Sequence, residues 1–253
     1  MNPTIRVALC LASLGLPTLA SAQDWIPYYS NNFQGGSLGP EWTGGRSLTT
    51  HANFSTFNGR YSDTTETILT LKAVEPPEDS QGNPGSEPPP GGEPPPGGGG
   101  GPGGGGSGGT GKPKSIEYML VFDFYAIDSW DGYATNFGPD RFTVKVNGEW
   151  VFDETFANQH QYQSFRAPDI GPKHLGFNPQ YHDSIYRDIA IPFTVGPEAT
   201  HVAIKFRGYV LQQMNDESWG IDNVRVMYRV VPAPSAAGLL LAAGGLAARR
   251  RRR

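Results

Sequence analysis

Arg141-Phe-Thr-Val-Lys-Val-Asn-Gly-Glu-Trp-Val-Phe152 is the stretch on which the fold turns. Phe142, Val144 and Val146 alternate with Arg141, Thr143 and Lys145. A period of two places the first set on the inward face of a strand and the second outward. Asn147-Gly148 then offers the two positive-φ positions of a type I′ turn, so Trp150-Val-Phe152 returns as the second arm of a tight hairpin.

The same period recurs at His201-Val-Ala-Ile-Lys-Phe-Arg207 and at Ile221-Asp-Asn-Val-Arg-Val-Met-Tyr228. Thr67 to Val74 and Ile116 to Ile127 read as further strands, and helical periodicity is confined to the two ends of the chain. Short strands punctuated by Gly, Pro, Asn and Asp over about 170 residues predict an all-β fold, a two-sheet antiparallel β-sandwich of jelly-roll-like type.

Between two of these strands lies a stretch of different composition, 75–114, with Pro88 to Pro96 followed by a nearly pure glycine run to Gly111. It cannot bury apolar surface, which predicts disorder, and it lacks the strict third-residue glycine of collagen. As a linker it would leave 23–74 to fold alone, which is marginal without a disulfide or metal. As a loop it joins two neighbouring strands of one domain at little cost, because closure entropy grows only logarithmically with loop length. The loop reading is preferred: 23–74 and 115–230 are two parts of one sandwich, with no function assigned to the insert.

The ends carry targeting signals. Residues 1–22 run from Arg6 through an apolar stretch, Val7 to Leu16, to Ala20-Ser-Ala22, the order of a secretory signal peptide. The single cysteine, Cys10, falls within it, and Leu9 stands where a lipoprotein signal needs a small residue. The mature domain therefore has neither disulfide framework nor thiol chemistry. At the other end, 231–253, Val231-Pro-Ala-Pro-Ser235 leads into Ala236 to Ala248 and then Arg249 to Arg253. An apolar helix there is roughly 20 Å long, short of the roughly 30 Å hydrocarbon core. The arginines hold the terminus in the cytoplasm by the positive-inside rule.

That tripartite tail resembles a PEP-CTERM sorting signal, carried here by Val231, Pro232, Pro234 and the cluster that includes Arg249, Arg250 and Arg251. The resemblance implies transient residence in the inner membrane, recognition by an exosortase-type sorting protease, and delivery to the cell surface or extracellular matrix. Ala233 stands where the family name has Glu, and an ordinary tail anchor is the other reading.

Removing Arg6 and the five terminal arginines leaves 14 basic residues of 20 against 24 acidic ones, a net charge of −10. An acidic body argues against nucleic acid as a partner and fits a metal-rich exterior or a neutral glycan.

Two loops gather carboxylates around a tryptophan: Ile127-Asp-Ser-Trp-Asp-Gly132, with Gly138-Pro-Asp140 just beyond, and Asp216-Glu-Ser-Trp-Gly-Ile-Asp-Asn-Val224. Calcium takes six to eight oxygens, and strand-end loops supply carboxylates and carbonyls together. With Asn32-Phe-Gln-Gly-Gly36, these segments resemble those of concanavalin/jelly-roll modules of bacterial surface proteins. The resemblance implies glycan binding and a structural calcium between the first strand and the last. Phe33-Gln34 stands here where such modules often have Phe-Glu.

On that basis Asp131, Asp140 and Asp222 are candidate metal ligands. The alternative is that they cap turns through their own backbone. Asp222 stands out, because a carboxylate inside an alternating apolar strand needs a partner. Trp42, Trp130, Trp150 and Trp219 are either core or sugar-stacking platforms. Trp130, flanked by Asp128 and Asp131, is the candidate ligand-binding residue.

No catalytic constellation is present. The acid-x-acid-x-x-acid strand of laminarinase-like jelly rolls is missing, and the five histidines show no HExxH spacing. Ser129 and Ser218 lack a nucleophile-elbow context. The expectation is a non-catalytic surface module binding extracellular polysaccharide. A structural matrix component and a glycan hydrolase are the alternatives.

Overall fold

The computed structural model describes residues 24–77, 115–133, 136–158 and 162–231. The segment expected to be a signal peptide, nearly all of the insert, and the expected sorting tail beyond Val231 lie outside these residues.

Twelve strands follow one another: β1 (Ile26–Asn31), β2 (Trp42–Gly44), β3 (Leu48–His51), β4 (Ser55–Tyr61), β5 (Glu66–Lys72), β6 (Ser115–Asp128), β7 (Arg141–Val146), β8 (Glu149–Thr155), β9 (Ile170–Lys173), β10 (Asp183–Thr194), β11 (His201–Tyr209) and β12 (Glu217–Val231). They form two antiparallel sheets, β3-β4-β12-β6-β10-β9 with β1 also on β12, and β2-β5-β11-β7-β8. The all-β, two-sheet expectation holds, and no helix occurs among the described residues.

Strands from before and after the insert share both sheets: β1 and β4 pair with β12, and β5 pairs with β11. The strands that flank the insert, β5 and β6, belong to different sheets, so the segment passes from one layer to the other instead of joining paired neighbours. Its two ends meet nonetheless: the Val74 amide donates to the Tyr118 hydroxyl at 2.8 Å.

The hairpin forms as its sequence predicts. Val146 pairs with Glu149, and Asn147 and Gly148 take φ of 48° and 92°. Phe142, Val144 and Val146 enter the core. Thr143, expected outside, is buried, and its hydroxyl donates to the Arg207 carbonyl at 3.1 Å, which satisfies the polar atom on a covered strand.

β6 explains its long apolar run by being covered on both faces. Leu120, Phe122, Phe124 and Ala126 join the core between the sheets, where Phe124 packs against Phe142, Phe156, Trp130 and Tyr186. Tyr125 and Ile127 point the other way into a smaller cluster with Phe54, Phe57, Leu175 and Ile185. Asp123 lies on that second face, one step from Tyr125 along the pleat.

Candidate functional site

Two groups of carboxylates stand apart in this fold. The first surrounds Asp123. The strands on either side of β6 each carry a bulge at its level, β10 between Tyr186 and Ile189 and β12 between Asp222 and Arg225. A bulge adds one residue to one strand and re-aims the side chains next to it. Asp188 and Asn223 supply the left-handed φ values, 50° and 49°. Asp123 holds both bulges, accepting from the Asp188 amide and from Asn223 Nδ2, each at 2.8 Å.

Asp222 lies opposite Asp123 in the β6–β12 ladder. It accepts from the Asn223 amide at 2.7 Å, Ser55 Oγ at 2.9 Å and the Tyr125 hydroxyl at 3.0 Å. Burial pushes its carboxyl above the ordinary range, and these donors pull the other way. The Tyr125 hydroxyl is pushed far up, first by burial and then by Asp222 beside it.

On β12 the edge partner also changes here, from β4, which ends its pairing at Ile221, to β1, which begins at Val224. Between them the outer face opens into a groove of about 1040 Å³. Its floor holds Phe54, Tyr125, Asp123 and Asp222, and its walls include Asn32, Asn53, Arg187 and Arg225. The floor rings are covered, so recognition in the groove rests on hydrogen-bonding groups.

The second group lies at one end of the sandwich and is built from chain segments that the loops bring together. Asp131 bridges to Ala157, Asp140 immediately precedes β7, and Glu217 opens β12. Single oxygens of the three carboxylates lie within 4.8 Å of one another, and all three residues are buried. The loop is drawn tight: Asp140 accepts from the Asp131 amide and donates its own amide to the Gly132 carbonyl at 3.1 Å. Gly132 has φ of 68°, and a Cβ there would stand 2.0 Å from the Tyr162 carbonyl. Glu217 accepts from the backbone and side chain of Gln212. Burial and like charge push Asp140 up to about 7 and Glu217 up to about 8.

Asp128 and Asp183 form a further, structural pair. Arg60 binds Asp128 and Ser218 Oγ, and Asp183 accepts from the Asp128 and Leu175 amides. Burial pushes Asp128 up to about 6 against the pull of Arg60.

No family model matches the chain, and no curated protein matches it. Among solved structures it is similar to dimeric latent PorU from Porphyromonas gingivalis, at 9% identity and a TM-score of 0.39, over 84% of this chain and 14% of that one. It is also similar to the apo form of a cyclase from Fischerella sp., at 12% identity and a TM-score of 0.29, over 87% of this chain and 92% of that one. The chain thus spans only 14% of the PorU chain. Neither likeness carries an argument about fold or activity.

Asp131 and Asp140 come together as the sequence suggested. Asp222 does not join them: it belongs to the Asp123 group, because it sits within β12 while the other two lie at the far end of the sandwich with Glu217. Sequence reasoning missed Glu217, although it lies in the Asp216 to Val224 motif; only the β6–β12 ladder and the Gln212 turn place it beside Asp140.

Trp130 is fully buried, with its ring against Phe124 and Phe156 and its Nε1 donating to the Ser218 carbonyl at 2.8 Å. It has no face open to a sugar. Trp42 and Trp219 are buried as well, and Trp150, at 51% exposure, is the open one of the four. Val231 ends β12, paired with Ser115, while Pro232, Pro234 and the terminal arginines lie outside the described residues.

Proposed function

We propose that this chain is an exported, non-catalytic protein of the cell surface or extracellular matrix that binds extracellular polysaccharide through the groove over Asp123 and Asp222. The single observation behind this reading is the groove itself: open, polar, floored by β6 and β12 and walled in part by the β1–β2 and β3–β4 loops. Sugar hydroxyls are donors and acceptors together, and Asn32, Asn53, Arg187 and Arg225 offer both roles at its walls. The sandwich is read as a jelly roll, and the tail as a short apolar helix processed by an exosortase-type protease.

Hydrolysis is the weaker reading because of how the groove carboxylates are used. All four oxygens of Asp123 and Asp222 already accept protein hydrogen bonds. Those five donors aim the two carboxylates at the bulged backbone, Ser55 and Tyr125, and both residues are buried at the groove floor, whereas a nucleophile or general base must reach the substrate. Asp140 and Glu217 have raised proton affinities, yet they are buried and form no part of the groove wall.

The test is binding of the full-length chain to purified host exopolysaccharide, with dextran and alginate as neutral and acidic comparisons. Arg187→Ala and Arg225→Ala are each expected to weaken binding roughly 10-fold or more, since a hydrogen bond from a charged group contributes about 1.5–3 kcal/mol. Absence of binding to all three, or binding unaffected by both variants, would remove the groove as a glycan site. Release of reducing ends from any of them would instead establish a hydrolase.

A further inference from the structure

We propose that Asp131, Asp140 and Glu217 together bind one divalent cation of the calcium type, which ties the β6–β7 loop to the first residue of β12. The donor set is all carboxylate oxygen, the choice of a hard cation. Calcium lies about 2.3–2.6 Å from each oxygen it binds. Two oxygens on one ion are therefore never more than about 5 Å apart, and this trio satisfies that limit.

The independent sign of a missing ligand is Asp140 Oδ1. Asp140 is 0% exposed, its Oδ2 takes the Asp131 amide, and its Oδ1 receives no N–H or hydroxyl; the side chain that hydrogen-bonds this carboxyl is Glu217, which can do so only while one of the two acids holds a proton. A buried carboxylate oxygen without a donor is costly. The group beside it is another carboxyl, that of Glu217, and not a base. A second buried acceptor without a donor, Asn158 Oδ1, occurs at the same corner, where the Asn158 amide donates to the Trp130 carbonyl at 2.6 Å.

Arg60, the cation that reaches the start of β12, is committed to Asp128 and Ser218. Among the described residues no arginine, lysine or histidine pairs with Asp140 or Glu217. A bound cation neutralises like charges that burial would otherwise force to hold protons. It would also brace two segments far apart in sequence, the β6–β7 loop and the start of β12, a useful tie in a domain without disulfides.

Terbium luminescence excited through tryptophan is the direct assay on the full-length chain, because Trp130 adjoins Asp131. We expect saturable sensitised emission, displaced by calcium, together with a calcium-dependent rise in melting temperature that chelator reverses. Glu217→Gln and Asp140→Asn should each weaken terbium and calcium affinity by about 10-fold or more, since charge count sets affinity in such sites. Both variants mimic the protonated carboxyl, so their circular dichroism should match the parent's. Absence of saturable emission, or emission and melting shifts that survive unchanged in both folded variants, would overturn the site. This outcome is separate from that of the polysaccharide assay, which addresses a different face.

Discussion

Asp222 faces Asp123 across the β6–β12 ladder at the point where β10 and β12 both bulge, and every oxygen of the two carboxylates accepts a hydrogen bond from the protein. Two buried acids side by side would ordinarily repel. Here five donors hold them, two of which, the Asp188 and Asn223 amides, are freed from the ladder by the bulges themselves. The carboxylates shape the groove by fixing the backbone around it.

Replacing Asp222 by Ala would strand the Tyr125 hydroxyl, which is buried, together with Ser55 Oγ and the Asn223 amide. The expected loss is about 2–3 kcal/mol of stability. Urea unfolding of the variant against the parent measures it, and a loss below about 0.5 kcal/mol would show that water replaces the carboxylate freely.

In chelator, stability should fall as pH rises. Asp140 and Glu217 have ordinary values of 3.8 and 4.5 and folded values of about 7 and about 8. The folded state then binds more protons than the unfolded state between about pH 4 and 8. Their stabilisation is fully present below the unfolded values and is lost through the folded ones. The melting temperature in chelator should therefore be higher at pH 5 than at pH 8, with the slope reduced in Glu217→Gln. Asp183 and Asp222, also raised by burial, act in the same direction. Added calcium should lift the melting temperature most at the alkaline end, because it binds the ionised carboxylates.

Phe124 and Trp150 separate packing from exposure. Phe124 is fully buried among four aromatic rings, so Phe124→Ala should cost about 3–5 kcal/mol. Trp150 is half open, with Lys145 Nζ 4.0 Å from its ring centre, and Trp150→Ala should cost no more than about 1 kcal/mol. Chemical denaturation of the pair checks both.

The insert offers a further test. If residues 78–114 act as a flexible loop, cutting them to about a quarter of their length should stabilise the domain by about 1 kcal/mol, two halvings of loop length at about 0.6 kcal/mol each. The Val74–Tyr118 hydrogen bond marks where the two ends come together. Loss of folding in the shortened chain would instead show that the segment contributes contacts of its own.

Local pattern was enough to determine what depends on neighbouring residues. The β7–β8 hairpin was legible because alternation and Asn147-Gly148 act within a few residues, and the all-β class because the same period recurs along the chain. Asp131 and Asp140 were legible as a pair because one loop carries both. What required tertiary structure was every property that depends on which distant strand lies alongside. Glu217 reaches Asp140 only through the β6–β12 pairing and the Gln212 turn. Asp222 was noticed as a misplaced carboxylate, but its partners Ser55 and Tyr125 come from β4 and β6, and no spacing encodes them. Trp130 reads as a loop residue beside two acids, yet its indole fills the end of the core, since an aromatic ring gains more by leaving water than its polar neighbours lose by accompanying it inward and finding hydrogen bonds. Sequence period determines which face a side chain takes, and strand order determines what that face meets.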